Sequence, residues 1–169
     1  MSDEALTNHD PGEDVRFVLE QVGEWIRSAD TKAGLLAPTL ALLMSPAFDN
    51  FSKRQLTDFL DSPRDFIGTL FFAGFGLTFG MAAFFVAKVL IPRTQHAVRS
   101  SRYSWPWICE VDLRVLTSLN PSESREEAWA QAKNLAQIAQ WKHKNFKLAL
   151  RAAIANAVFL IAWLFVSAW

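Results

Sequence analysis

The chain has 169 residues, with 17 Lys and Arg against 17 Asp and Glu, seven Trp, fourteen Phe and a hydrophobic share of 51%. That length suits a single domain, and the even charge balance lacks the clustered basic excess by which proteins hold nucleic acid. One cysteine, Cys109, excludes both an intrachain disulfide and a multi-thiolate zinc site.

Met1-Ser2-Asp3-Glu4 has no basic cluster and leads into no early apolar run, so residues 1–9 do not resemble a secretory signal and are expected to be a flexible start on the cytoplasmic side. Residues 10–32 predict a cytosolic amphipathic helix, with Asp10 as N-cap, Pro11 in the first turn and Glu13 three residues after the cap. Val15, Val18, Leu19, Val22 and Ile26 recur on one face and need a partner. Residues 33–48 are apolar but contain Pro38 and Pro46, so alone they fit an interfacial segment as well as a span. Residues 49–65 carry Lys53, Arg54 and Arg64 beside Asp49, Asp58, Asp61 and Asp65, the balance expected of an external loop.

The clearest span lies within residues 66–91. Phe66 to Ala87 are free of charge, about 33 Å of helix at 1.5 Å per residue. Residues 92–147 hold Arg93, Arg99, Arg102, Arg114, Arg125, Lys133, Lys142, Lys144 and Lys147, which assigns them to the cytoplasm as a helical region. In its first part Arg99 and Arg102 stand near Tyr103, Trp105 and Trp107. These residues suit either a nucleotide clasp or a juxtamembrane belt on anionic lipid, and composition favours the belt. A helix is expected from Pro121, after Asn120, with no Pro or Gly to stop it before Trp169. Within it Ala128, Ala132, Leu135, Ala139, Lys142, Phe146 and Ala149 step by four and three, the pattern of a packed seam. Lys142 interrupts that seam. Either its stem lies on the seam with the ammonium in water, or the charge has a function.

Residues 148–169 form the last expected span, apolar after Ala152 except for Asn156 and Ser167, with Arg151 at its start and Trp169 at the far interface. If 66–91 and 148–169 both cross, a cytoplasmic 92–147 and a cytoplasmic N-terminus require 33–48 to cross as well. The expected fold is therefore an all-α integral membrane protein of three transmembrane helices, with a cytosolic helical domain made by the N-terminal helix and 93–147. Its N-terminus is cytoplasmic and its C-terminus external or periplasmic.

Catalytic chemistry has no obvious seat. His9, His96 and His143 are scattered and form no HExxH pair, and no metal-ligand spacing occurs. Gly74, Gly76 and Gly80 lie inside the apolar span, where Gly76-xxx-Gly80 is a small-residue face suited to helix packing and homo-oligomerisation, with Asn156 able to add an interhelical hydrogen bond.

Two short elements carry a family resemblance. Ala29-Asp30-Thr31-Lys32-Ala33-Gly34-Leu35-Leu36, an acidic-x-basic-small step into the first span, resembles the leading motif of the Pycsar effector transmembrane family. Lys142-His143-Lys144-Asn145-Phe146-Lys147-Leu148-Ala149, ahead of the last span, resembles that family's second element, although His143 stands where an aromatic is common. The resemblance implies a non-enzymatic effector in the bacterial inner membrane. It further implies that a partner pyrimidine cyclase makes cyclic UMP or cyclic CMP on phage infection, that the effector senses it, and that membrane damage then causes abortive infection. No cofactor is implied. Lys32, Arg99, Arg102, Lys142 and Lys144 are the cations available to a ligand phosphate; Asp30 and His143 complete the set of ligand or switch candidates. Asp30 and Lys142 are expected to form or flank a charge contact that the ligand rearranges. The alternative is a membrane scaffold without a nucleotide ligand, which would have no reason to keep a cyclase gene beside it.

Overall fold

The computed structural model describes residues 11–50, 62–92, 109, 111–114 and 120–168. Among them are three long helices and no strand: α1 Pro11–Asn50, α2 Pro63–Leu90 and α3 Pro121–Ala168.

Local chemistry accounts for the helix starts. At α2, Ser62 is the N-cap: its hydroxyl accepts from the Asp65 backbone N–H at 3.2 Å and donates to the Asp65 carboxylate at 2.9 Å, with Pro63 in the first turn. At α3, the Asn120 carbonyl accepts from Ser124 N at 3.1 Å as Pro121 begins the helix, the start expected from the sequence. Asp10, the expected cap of α1, lies outside the described residues. The expected elements 10–32 and 33–48 are a single helix that continues through Pro38 and Pro46. A proline removes one backbone donor, and next to Pro38 the Thr39 hydroxyl donates to the Leu35 carbonyl at 2.9 Å, adding a bond in the weakened turn.

The chain divides into two compact units, Met1–Ser28 with Pro92–Trp141, and Ala29–Ile91 with Lys142–Trp169. In the first unit, α1 buries Val15 and Val22 and half-buries Val18, Leu19 and Ile26, while α3 buries Ala128, Ala132 and Ala139 with the amides Gln131 and Asn134. In the second unit three helical segments share a layered core. Ala29, Ala33 and Val89 form its first layer with Phe146 against them. Leu40, Ala82, Val86, Ala149, Ala152 and Ala153 form the next, and Ala47, Phe75, Leu160 and Trp163 the last. The pattern is heptad packing: on α2 the buried positions include 68, 75, 82 and 89, and on α3 the seam continues past Ala149 through Ala153, Asn156, Leu160 and Trp163.

Two of the helices, α2 and α3, are long and apolar enough to cross a membrane. Only 17% of the apolar stretch of α2 is buried inside the molecule, while Phe66, Leu70, Leu77 and Phe84 are exposed. A helix that is apolar all round and so little covered by protein belongs in lipid, not in a soluble core. The stretch 33–48 does not join them on this measure. Gly34, Pro38, Thr39, Ser45 and Pro46 dilute its apolar content. Three transmembrane helices are thus met in part, by two.

Candidate functional site

The end of the second unit nearest Val89 combines features that packing alone does not require. Asp30 follows the fully buried Ala29 on α1, and Lys142 sits on the α3 seam four residues before Phe146, so both flank the Ala29–Ala33–Val89 layer. The Lys142 ammonium donates to Asp30 Oδ1 in an ion pair between residues 112 positions apart. The Lys142 side chain is 6% exposed and that of Asp30 39%. The ammonium therefore does not point into water, and the snorkelling alternative for Lys142 does not hold.

This asymmetry sets what the pair can do. A buried ammonium has no other way to be solvated, so it depends on its carboxylate. The carboxylate can exchange its partner for water. A phosphate oxygen brought to Lys142 could take over that role and release Asp30.

The remaining sequence candidates separate clearly. His143 is half-buried beside Lys142 on α3. Lys32 and Lys144 are exposed and have no ion-pair partner among the described residues. Arg99 and Arg102 lie outside the described residues. Among the described residues no three His, Cys, Asp or Glu side chains gather at a metal-sized site.

Deeper in the same unit a second polar contact joins α2 and α3. Asn156 is fully buried, and its Nδ2 donates to the Phe75 carbonyl at 2.8 Å and to the Thr78 hydroxyl at 3.3 Å. Thr78 in turn donates back to the Gly74 carbonyl at 2.7 Å. Asn156 Oδ1 and Trp163 Nε1 are buried with no partner among the described residues.

Sequence reasoning missed how the glycines are used. Gly76 and Gly80 face open space, with nothing within 4 Å of an added Cβ, so they serve no contact among the described residues. Gly74 does. A Cβ there would meet the Phe159 ring at 2.7 to 3.0 Å, where α3 approaches α2. The signal was present as the seven-residue recurrence of Gly68, Phe75, Ala82 and Val89, which places Gly74 beside the buried edge and Gly76 and Gly80 away from it. Arg64 was also unread as a structural residue: its guanidinium donates to the Val166 and Ser167 carbonyls, each at 3.2 Å, satisfying orphan groups at the end of α3.

The sequence model of the Pycsar effector protein domain matches residues 14–169, most of the chain. No curated protein and no solved structure matches.

Proposed function

From the premise that the chain belongs to the Pycsar effector protein domain family, we propose that it is an antiphage effector switched by a cyclic pyrimidine mononucleotide. Membership itself supports a role in the Pycsar antiphage system, association with a membrane and a functional partnership with a cyclase. The finer reading is that cyclic UMP or cyclic CMP is the signal, disruption of the inner membrane is the response, and abortive infection follows. The response needs no enzymatic step by this chain.

The observation that carries the switch is the buried Lys142 held by a half-exposed Asp30. A cyclic mononucleotide brings one phosphodiester charge, enough to replace one carboxylate on the ammonium. Exchange frees α1 from α3 at the level of Val89, and the loss of that tie repacks the helices below it. His143 and Lys32 stand close in sequence to the pair and supply further contacts to the ligand.

In this reading 33–48 crosses the membrane as the third span. Its support is packing: Leu40 and Ala47 lie in the same layers as Ala82, Phe75, Leu160 and Trp163, so this part of α1 runs beside α2 and α3 through their apolar length. Leu35 and Leu42 are exposed there, as lipid-facing residues are. The end bearing Lys32, Lys88, Lys144, Lys147 and Arg151 is cytoplasmic by the positive-inside rule, leaving the C-terminus periplasmic. Three helices enclose no wide channel, so a pore requires several copies. The open Gly76-xxx-Gly80 face is the surface for a second copy.

The test is dye release from liposomes carrying the full chain, with cyclic UMP, cyclic CMP, cyclic AMP and cyclic GMP added in turn. Release with one pyrimidine nucleotide, lost in Lys142→Ala, is the expected result. Absence of release with all four, in inserted and folded protein, overturns the reading and leaves a membrane scaffold without a ligand.

A further inference from the structure

Positions 144, 147, 151, 154, 158, 161 and 165 step by three and four along α3, and all seven are exposed. They form one outward face. Its first three residues are Lys144, Lys147 and Arg151; the rest are Ile154, Val158, Ile161 and Phe165, each 59% exposed or more. The face turns from cationic to apolar within one helical turn. The other helices change at the same end: Lys32 precedes Leu35 on α1, and Lys88 on α2 lies 4.5 Å over the ring of Phe84.

From this arrangement we propose that Lys144, Lys147 and Arg151 hold the phosphate of an anionic glycerophospholipid whose acyl chains lie along the apolar half of the same face. The three cations cover about 10 Å of helix axis, a depth comparable with the headgroup layer that borders the hydrocarbon core. Arg151, nearest the apolar residues, can grip a phosphate with two parallel N–H donors, and the lysines add charge above it. None of the three has an ion-pair partner among the described residues, and the one described acid at this end of the unit, Asp30, is held by Lys142. Among the described residues the far end offers nothing similar. Its Arg64 is occupied by the Val166 and Ser167 carbonyls, and Asp65 stands beside it. A zwitterionic headgroup cancels its own phosphate charge, so the site discriminates for lipids with net negative charge.

The experiment reconstitutes the full chain in phosphatidylcholine vesicles with a trace of spin-labelled phosphatidylglycerol or spin-labelled phosphatidylcholine and measures the fraction of each held at the protein. We expect phosphatidylglycerol to be preferred by about threefold or more. The preference disappears in Lys144→Gln/Lys147→Gln/Arg151→Gln and persists in the charge-preserving Arg151→Lys, with helix content checked by circular dichroism. Equal retention of both lipids by the wild type overturns the proposal. So does a preference that survives in the folded triple variant. A third arm adds cyclic CMP or cyclic UMP: undisturbed lipid retention supports the lipid site, whereas displacement assigns these cations to a free phosphate ligand and overturns it. Because dye release is not the readout, failure here leaves the effector reading to its own test.

Discussion

Two polar contacts lie on one face of α3, at Lys142 and at Asn156, two heptads or about 21 Å apart, and they are built for opposite tasks. The first joins full charges, one buried and one reaching water. The second joins a neutral amide to a backbone carbonyl and a hydroxyl in a layer sealed by Phe75 and Trp163. A charge pair with one wet partner is exchangeable, because the departing carboxylate is taken up by solvent. A neutral bond in a dry layer has no such substitute, so it fixes the register of α2 against α3. The lesson is that polarity in a membrane bundle divides by depth: charge where water can compete, amide where it cannot.

The sharpest way to break that comparison is at its charged end. Asp30→Ala strands the buried ammonium and should cost about 3 kcal/mol, the low end for a broken buried pair because Asp30 is partly wet. Lys142→Met keeps the volume and leaves Asp30 free to turn to water, so the expected loss is under about 1 kcal/mol. Denaturant unfolding in micelles compares the two; equal losses would show that the asymmetry of exposure does not govern the pair.

Next in size come the glycines, which separate packing within the chain from packing between chains. Gly74→Leu drives a side chain into the Phe159 ring and should destabilise the fold by about 2 kcal/mol. Gly76→Leu and Gly80→Leu meet open space and should change unfolding by less than about 0.5 kcal/mol. Their expected effect is on crosslinked oligomers, which should diminish. Crosslinking that stays the same in both variants would remove this face from assembly.

The smaller effects sharpen the comparison. Asn156→Leu should cost about 1 kcal/mol, in line with interhelical hydrogen bonds in lipid, and should leave the ligand threshold for dye release unchanged if the deep contact is a lock. Arg64→Gln loses exposed bonds to helix-end carbonyls and should cost about 0.5 kcal/mol. Unfolding curves at two salt concentrations check it, because only the charged part of that contact is screened.

Much of the fold was legible because it rests on periodicity. The start of α3 at Pro121, its unbroken course and its buried seam follow from spacing and from the absence of Pro and Gly. The course of α1 was less legible. Pro38 and Pro46 left 33–48 open between an interfacial segment and a span, yet the helix runs through both, since packing of Leu40 and Ala47 in the shared layers outweighs two missing backbone donors. The same prolines, with Gly34, Thr39 and Ser45, keep 33–48 from standing as a span on apolar content.

The candidate site was legible in its residue types and hidden in its geometry. Asp30 and Lys142 were identifiable from the two short motifs and from a lysine interrupting an apolar seam. Nothing in the one-dimensional pattern could show that Lys142 is buried while Asp30 is wet, or that Gly74 is the glycine that lets α3 approach α2.

The sequence by itself determined that the chain is helical, where its apolar faces run and that two stretches suit a bilayer, because hydropathy and helical period are local properties of consecutive residues. Only the tertiary structure decided how deeply the expected Asp30–Lys142 contact is buried, which glycine takes a neighbour and which donors cap α3. Those depend on the mutual placement of segments separated by up to 112 residues for the ion pair and 103 for the Arg64 contact, and no local pattern encodes that placement.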